Sequence, residues 1–361
     1  MTCYRPNIRL ANFNILNDKG NSTTMKFINA LGDQIKRYHD GTVNYEWYQE
    51  ENKRIKDLGM EYQLIPCGKC IGCKNDKKKE WAIRCVLEAR EHEHNYFITL
   101  TYDDQNKPWD DKFINKLTGE IYEDDGTWNG YLEPKDMTDF IKRLRSRWER
   151  KYDHEGIRYF YCGEYGGLGR PHYHAIFFNL PINPKTLEVL KYDKESGKAL
   201  YTSKEIEKLW GKGFVVIEEF DYASAAYVAG YVQKKMGSCR DYVSYAKKGQ
   251  TPEFIRMSRD GGIGKAYYEK HTGIHDNDEI VMKTALNRVE NVKIPRYFDK
   301  LRESFDKDYI QEVKSRRKEK AVSRNKNLKE HTDLVMSEYL AQEERGLKSK
   351  VKELTKRDKV D

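Results

Sequence analysis

The sequence predicts an α+β protein with a central antiparallel sheet, packed helices and a charged C-terminal extension. Short β-branched and aromatic segments, such as 96–102, are typical of strands. Apolar residues spaced three or four positions apart over 135–150 indicate a helix that covers a sheet. A glycine-rich turn inside 157–180 predicts a hairpin. Strands that alternate with helices and hairpins in this way favour helices packed on an antiparallel sheet.

Composition limits the class of protein. The chain has 361 residues, of which 38% are hydrophobic and 34% charged, and its formal net charge is +8. No apolar run reaches the roughly 18 residues of a membrane-spanning helix, and the first residues lack the apolar centre of a signal peptide. We therefore expect neither a membrane span nor secretion. Seven cysteines, an odd number, fit a reducing cytoplasm better than a disulfide framework.

Four segments are predicted along the chain. Residues 1–60 form an N-terminal extension that packs on the core, and residues 61–90 form a cysteine-rich knuckle and a helix. Residues 91–300 form the main domain, and residues 301–361 form a charged tail, partly helical or mobile. From 311 onward, fifteen Lys and Arg residues accompany ten Asp and Glu residues. Most of the excess positive charge therefore lies in the tail.

The strongest chemical signal is the pair His172 and His174. Side chains alternate along a strand, so the two imidazoles share one face. Glu164 ends the preceding strand, and the glycine-rich turn brings its carboxylate across from the histidines. Two imidazoles and one carboxylate with open positions suit Mg²⁺ or Mn²⁺, which can polarise a phosphoryl oxygen. The alternative is a set of packed polar groups.

A second signal is a pair of tyrosines, Tyr227 and Tyr231, on a predicted helix. They are four residues apart, so both hydroxyls project from one face, and Lys234 extends the same turn. A phenol beside a metal and a cation is a competent nucleophile toward a phosphodiester. The alternative is an aromatic core stripe followed by two solvated lysines, Lys234 and Lys235.

A third signal is the C-x₂-C-x₂-C sequence of Cys67, Cys70 and Cys73. Three thiolates can bind one structural zinc ion if a fourth ligand joins them. The candidates for that ligand are Cys85, which we place first, Cys3, His92 and His94. Free thiols and an iron–sulfur cluster are the alternatives.

Basic side chains outside these sites are candidates for DNA binding. Their alternative is an ordinary solvated face. The candidates are Lys142, Arg143, Arg145, Arg147, Arg170, Lys235, Arg256 and Arg259. The segment 258–265 resembles a phosphate-binding loop but lacks its first Gly and its Ser or Thr, so no nucleotide cofactor is expected.

Several motifs, taken in order, resemble those of a known superfamily. Three of them resemble the motifs of HUH endonucleases, which initiate rolling-circle replication: Phe97–Tyr102, His172-Tyr173-His174 and Tyr227-x-x-x-Tyr231-x-x-Lys234. Four others resemble more closely the replication initiation proteins of gokushovirus-type microviruses: Pro66–Cys73, Gly163–Gly166, Met257-Ser258-Arg259 and Pro295-Arg296-Tyr297. The resemblance covers about residues 60–300 and implies a ferredoxin-like or RRM-like HUH domain over 91–300.

The resemblance implies a site-specific DNA nickase and strand transferase. Glu164, His172 and His174 would bind the divalent ion, and a tyrosine would attack origin DNA, forming a 5′-phosphotyrosine link and a 3′-OH primer. The second tyrosine would then rejoin the displaced strand into a circle. In this sequence Gly230 stands where a lysine would accompany Tyr227.

The resemblance also implies partners and a location. Single-stranded and duplex origin DNA, a host helicase and a host DNA polymerase are expected, in the cytoplasm of a bacterial host. We expect the helices on one side of the sheet and the active site on its open face. A plasmid mobilisation relaxase and a non-catalytic DNA-binding or packaging protein of the same fold are the alternatives.

Overall fold

The computed structural model describes most of the chain after residue 60 and short segments before it. The described residues are 3–4, 7–16, 22–24, 61–110, 112–115, 117–123, 129–152, 156–193, 197–235, 243, 245, 249–284, 288–330 and 336–357. Two compact units are present: one combines 1–76 with 314–361, and the other spans 77–313. The N-terminal extension predicted over 1–60 lies mostly outside the described residues, and the four-segment division stays a prediction.

Fourteen strands lie in the described residues. In chain order they are β1 Asn7–Leu16, β2 Ser22–Thr24, β3 Glu61–Ile65, β4 Asn95–Tyr102, β5 Lys112–Ile114, β6 Ile121–Glu123, β7 Arg158–Tyr165, β8 Pro171–Phe178, β9 Glu188–Tyr192, β10 Ala199–Thr202, β11 Gly213–Glu219, β12 Phe254–Met257, β13 Glu279–Lys283 and β14 Val289–Lys293.

Eight α-helices lie in the same residues. They are α1 Ile71–Ala89, α2 Pro134–Tyr152, α3 Lys204–Trp210, α4 Tyr222–Lys235, α5 Lys265–Lys270, α6 Arg296–Glu303, α7 Lys307–Glu330 and α8 Met336–Arg357. Short 3₁₀ helices occur at Pro184–Thr186 and Thr272–Asp276. No helix among the described residues is long and apolar enough to cross a membrane.

The predicted α+β class is confirmed by a seven-stranded sheet in the second unit. Its order is β12-β7-β8-β4-β11-β10-β9, and every neighbouring pair is antiparallel. The predicted hairpin is β7 and β8, and the predicted apolar strand is β4, which lies beside β8. This arrangement puts the histidine strand near the middle of the sheet, between two long partners.

Helices cover both faces of this sheet, so the expected open face is wrong. On one face α2 packs through Phe140 and Leu144 against the side of β8 that carries Tyr173 and Phe177. On the other face α1 and α4 pack through buried apolar residues against Phe97, Phe160 and Ile176. The histidines lie on this second face.

The sequence of β8 explains the covering on both sides. Tyr173, Ala175 and Phe177 point to the α2 face, and Ile176 and Phe178 point to the other, and all five are buried. A strand that is apolar on both faces needs a partner layer on each, because exposed apolar surface costs about 25 cal/mol per Å².

The first unit contains the three-stranded sheet β2-β1-β3 and a small cluster around the cysteines. Cys3, Tyr4 and Cys70 are buried there, and Leu340 and Leu347 of α8 pack against them. The predicted tail is therefore helical over most of its length, and part of α8 belongs to a packed core.

Candidate metal centre and nucleophile

The β7–β8 hairpin brings Glu164 and His172 directly opposite each other. The turn between them is closed by a hydrogen bond from Gly166 N–H to the Arg170 carbonyl, 2.9 Å. A Cβ atom at Gly166 would lie 3.2 Å from His172 Cε1, so this position favours glycine. Local turn chemistry thus sets the register that the sequence predicted for the three candidate metal ligands.

The three side chains converge on one point. Oε1 of Glu164 lies 2.6 Å from His172 Nε2 and 2.7 Å from His174 Nε2. Glu164 is only 3% exposed, so its carboxylate is held away from bulk water. These ligand atoms lie within 4.8 Å of one another, which is the spacing that a single ion requires.

The outer nitrogens of both rings have partners. His172 Nδ1 donates to the Arg170 carbonyl over 3.1 Å, so a neutral His172 ring carries its lone pair on Nε2. Thr99 Oγ1 lies 2.9 Å from His174 Nδ1. Because a lone pair and a carboxylate oxygen repel each other at 2.6 Å, this arrangement fits a cation between them.

Burial keeps His174 in the form that a metal needs. The pKa of His174 is lowered from 6.5, because desolvation and the neighbouring His172 outweigh the opposing effect of the Glu164 carboxylate. The ring is therefore neutral near pH 7, which is the ligating form of imidazole.

Tyr227 reaches the same carboxylate from α4. Val228 and Ala229 bury one side of that helix against the sheet, whereas Tyr227 stays 44% exposed. Its hydroxyl donates to Glu164 Oε1 over 3.1 Å and lies 3.4 Å from His174 Nε2. The structure thus brings the predicted nucleophile and the predicted metal ligands together.

The other predicted members of the nucleophile motif belong to the last turns of α4. Tyr231, Lys234 and Lys235 are helical in backbone. Their side chains lie outside the described part of the structure, so their predicted roles stay predictions.

The predicted basic face of α2 lies on the opposite side of the sheet from the histidines. Arg143 donates to the Leu209 and Trp210 carbonyls, and Arg145 donates to the Ile157 carbonyl. Arg147 binds Glu205, and Lys142 is exposed. DNA binding by this face remains a prediction, for a surface remote from Tyr227.

The remaining predicted DNA contacts divide in the same way. Arg170 lies in the turn beside His172, where it donates to the Tyr102 carbonyl and pairs with Asp104. Arg256 is exposed over the ring of Phe254, on the α2 face, and Arg259 is exposed in the loop after β12. Only Arg170 among these three adjoins the histidines.

The cysteines form a second cluster of four thiols. Cys3, Cys67, Cys70 and Cys73 have sulfurs within 4.8 Å of one another. The Sγ–Sγ distances are 3.9 Å for Cys67 and Cys73 and 3.9 Å for Cys70 and Cys3. Backbone N–H groups point at the sulfurs, including Cys70 N–H to Cys67 Sγ at 3.2 Å.

Cys85 does not join this cluster, which corrects the first choice for the fourth ligand. It lies fully buried among Ala82, Phe97 and Phe160 in the second unit. Burial raises the pKa of its thiol, so it stays protonated. Cys3 completes the four thiols, although 64 residues separate it from Cys67.

Comparison with known proteins identifies the family. A family model for replication-associated proteins of the ORF2 type matches residues 95–236, a span that contains Glu164, both histidines and Tyr227. The replication-associated protein ORF2 of Spiroplasma virus 4 is 34% identical over 322 residues, which are 87% of this chain and 92% of the relative. The chain belongs to the family of phage replication-associated proteins.

Two further relatives agree with this assignment. This replication-associated protein is 31% identical to protein VP4 of Bdellovibrio phage phiMH2K over 241 residues, 65% of this chain and 66% of the relative. It is 32% identical to protein ORF4 of Chlamydia phage 1 over 173 residues, 47% of this chain and 38% of the relative. The resemblance to microvirus replication proteins is confirmed. No solved structure gives a significant match.

Sequence reasoning missed two residues of these sites. Thr99 pairs with His174 in the β4–β8 register, and the alternation of β4 places it on the histidine face. That signal was present in the sequence. Cys3 was only one of four candidates, because no local pattern links it to Cys67.

Proposed function

We propose that this replication-associated protein is a metal-dependent nickase that initiates rolling-circle replication. The observation that carries the proposal is the contact between the Tyr227 hydroxyl and Glu164 Oε1, 3.1 Å, at the carboxylate shared with both histidines. A nucleophile, two imidazoles and a buried carboxylate at one point form the donor set of metal-assisted phosphoryl transfer.

Glu164, His172 and His174 would hold Mg²⁺ or Mn²⁺. Such an ion, when bound, withdraws charge from a phosphate oxygen and so favours attack on phosphorus. The hydrogen bond from His172 to the Arg170 carbonyl and the contact of Thr99 with His174 orient the rings toward this point.

The Tyr227 oxygen attacks the origin phosphate. A tyrosine O–P bond forms and the P–O3′ bond breaks, and its electron pair stays on O3′, which takes a proton and becomes the 3′-OH primer. The phenol proton passes to solvent, to which Tyr227 is 44% exposed. The 5′ end of the strand remains joined to the tyrosine until a second attack, by Tyr231 or a 3′-OH, releases it.

The activity requires partners that the chain itself does not supply. Single-stranded and duplex origin DNA is the substrate. A host helicase and a host DNA polymerase would open and copy the circle in the cytoplasm of the bacterial host, because the sequence carries no ATPase or polymerase motif.

Covalent adduct formation tests the proposal. The full chain, incubated with single-stranded DNA that tiles the phage genome and with Mn²⁺ or Mg²⁺, should yield an adduct on a denaturing gel and a free 3′-OH. Tyr227→Phe with Tyr231→Phe should abolish it, whereas Tyr222→Phe on the same helix should not. Nicking by the double variant would overturn the mechanism, and DNA binding without any adduct would favour the non-catalytic alternative.

We also propose that the four thiols bind one structural zinc ion. Tetrahedral Zn²⁺ with Zn–S bonds of about 2.3 Å separates its sulfurs by about 3.8 Å, and two thiol pairs here are 3.9 Å apart. N–H groups directed at sulfur stabilise the thiolate form that zinc requires. Disulfide bonding needs a much shorter S–S distance, of about 2.05 Å.

Metal analysis tests the zinc site. Protein prepared without chelator should contain one zinc per chain, and Cys3→Ala should lose it, while Cys85→Ala should retain it. Cobalt substitution should give the absorption of a tetrahedral four-thiolate centre. Zinc-free protein would refute the site, and iron with sulfide would favour the cluster.

A further inference from the structure

Phe214 is a phenylalanine that remains 63% exposed near the middle of the seven-stranded sheet. It pairs with Thr101 of β4, and Thr101 in turn pairs with His172 of β8, which pairs with Glu164 of β7. Directly paired residues of antiparallel strands lie on the same face. Glu164, His172, Thr101 and Phe214 therefore form one row across the sheet.

This row lies on the uncovered end of the histidine face. Four positions along β4 and β8, Phe97 and Ile176 are buried by α1 and α4. Neighbouring strands are about 4.8 Å apart, so two strand spacings put Phe214 about 10 Å from His172. An exposed aromatic ring at this distance, beside the threonines of β4, adjoins the path of a strand whose phosphate sits at Tyr227.

We propose that Phe214 is a stacking site for a nucleobase of the single-stranded DNA that enters the active site. The inference rests on the proposed function, because the position of the strand follows from the phosphate at Tyr227. A base of a single strand offers a free π-face, and stacking on an aromatic side chain changes affinity by about 5- to 150-fold, largely independent of sequence. Bases of a closed duplex are already stacked and cannot use Phe214.

Binding measured without cleavage tests this site. The full chain is titrated in EDTA with a fluorescent single-stranded origin oligonucleotide and with its duplex. Phe214→Ala should weaken single-strand binding at least fivefold and leave duplex binding unchanged, while Phe214→Trp should retain both. The control is Phe305→Ala, because Phe305 is a similarly exposed phenylalanine, at 61%, elsewhere in the unit.

An abasic scan sharpens the result. One abasic position should weaken binding by the wild-type protein and have little effect on the Phe214→Ala variant. Equal single-strand affinity of wild type and Phe214→Ala overturns the stacking site, whatever the nicking assay gives. Normal stacking with no covalent adduct overturns the nickase proposal instead, so the two failures are distinguishable.

A second, independent observation concerns Lys78 of α1. Tyr231 has a lysine three residues later, at 234, whereas Tyr227 has Gly230 at the same offset. A Cβ atom at Gly230 would lie 3.8 Å from both Cε and Nζ of Lys78. The ammonium group of Lys78 thus lies where a side chain from position 230 would begin.

The packing of α1 on α4 explains this placement. Ala82 and Cys85, one and two turns beyond Lys78, are buried in the same cluster as Val228 and Ala229 of α4. The α1 stripe that contacts α4 therefore continues at Lys78 beside Gly230, on the helix that carries Tyr227.

We infer that Lys78 supplies, from α1, the cation that Tyr227 lacks on its own helix. Also resting on the proposed nickase, this inference has Lys78 bind a non-bridging oxygen of the attacked phosphate as the tyrosine O–P bond forms and the P–O3′ bond breaks. Preorganised positive charge at such an oxygen accelerates the step because it needs no reorganisation.

Single-turnover adduct formation at saturating DNA tests Lys78. In a Tyr231→Phe background, where Tyr227 alone attacks, Lys78→Ala should slow the step at least tenfold, whereas Lys79→Ala on the same helix should not. Adding Gly230→Lys to Lys78→Ala should restore much of the rate, which a merely structural role would not allow. Equal rates for Lys78→Ala and Lys79→Ala overturn the inference alone, and absence of any wild-type adduct overturns the nickase itself.

Discussion

His172 donates its Nδ1 hydrogen to the backbone carbonyl of Arg170, two residues earlier in the chain, over 3.1 Å. The residue that precedes the strand therefore sets the tautomer of the first histidine and directs its Nε2 toward Glu164. This coupling makes the geometry of the metal centre a property of the hairpin turn as well as of the ligands themselves.

His172→Ala should abolish nicking and lower Mn²⁺ affinity, while single-stranded DNA binding in EDTA survives. The physical reason is that one of three protein ligands is lost without any change in the surrounding basic groups. Titration calorimetry with Mn²⁺ and a gel-based nicking assay measure the two effects. His271→Ala is the matched control, because His271 Nδ1 also contacts a backbone carbonyl, that of Tyr267, outside this site. Undiminished cleavage by His172→Ala would remove this histidine from the metal shell.

Thr99→Val should weaken Mn²⁺ binding by about 10- to 100-fold, the usual effect of losing a hydrogen bond to a metal-bound histidine. Valine keeps the shape of the side chain but cannot hold His174 Nδ1 as Thr99 Oγ1 does at 2.9 Å. Thr202→Val, which loses a hydrogen bond to Glu207 at the end of β10, is the control and should bind Mn²⁺ normally. Equal affinities of the two variants would show that Thr99 does not orient the ring.

Gly213→Ala should destabilise the protein by about 3 kcal/mol or more, since it combines backbone strain with a steric clash. The glycine has φ +139°, and an added Cβ would lie 2.3 Å from the backbone nitrogen of Asp103. Gly167→Ala, with nothing within 4 Å of its added Cβ, should change the free energy of unfolding by less than about 0.5 kcal/mol. Urea denaturation compares the two variants, and similar midpoints would contradict the prediction.

Glu88 should make the free energy of unfolding depend on pH in the acid range. Burial alone would raise its pKa, but hydrogen bonds from His92 and the Gly264 N–H, together with Arg158, hold the pKa below 4.5. A carboxyl group with a lowered folded-state pKa stabilises the protein above its unfolded pKa of about 4.3 and loses this effect as pH falls.

The acid-range test uses Glu88→Gln, which cannot ionise. Urea denaturation from pH 7 down to about pH 3 should show a steeper loss of stability for the wild-type protein than for this variant. Parallel curves for the two proteins would mean that Glu88 is not stabilised in its ionised form.

Local pattern predicted the centre of the fold and of the site. The alternation of β8 put His172 and His174 on one face, and the glycine-rich turn predicted Glu164 opposite them, because both depend on residues close in sequence. The covering of both sheet faces could have been predicted as well, since β8 is apolar on both sides from Ala175 onward.

Long-range partners were beyond that pattern. Cys3 lies 64 residues from Cys67, and no periodicity relates it to the three-cysteine motif. Lys78 approaches Gly230 only because two helices share one apolar cluster, and helix packing of this kind depends on the assembled sheet. The predicted choice of Cys85 rested on its nearness in sequence, whereas its surroundings are wholly apolar.

The cysteine cluster also imposes an order on synthesis. Cys3 and Cys70 pack with Leu340 and Leu347, so translation must proceed through most of α8 before this small core can close. Residues 77–313 are all synthesised earlier. A nascent chain can therefore complete the sheet that carries Tyr227 while its first thiols still wait on the ribosome for a helix that has not been made.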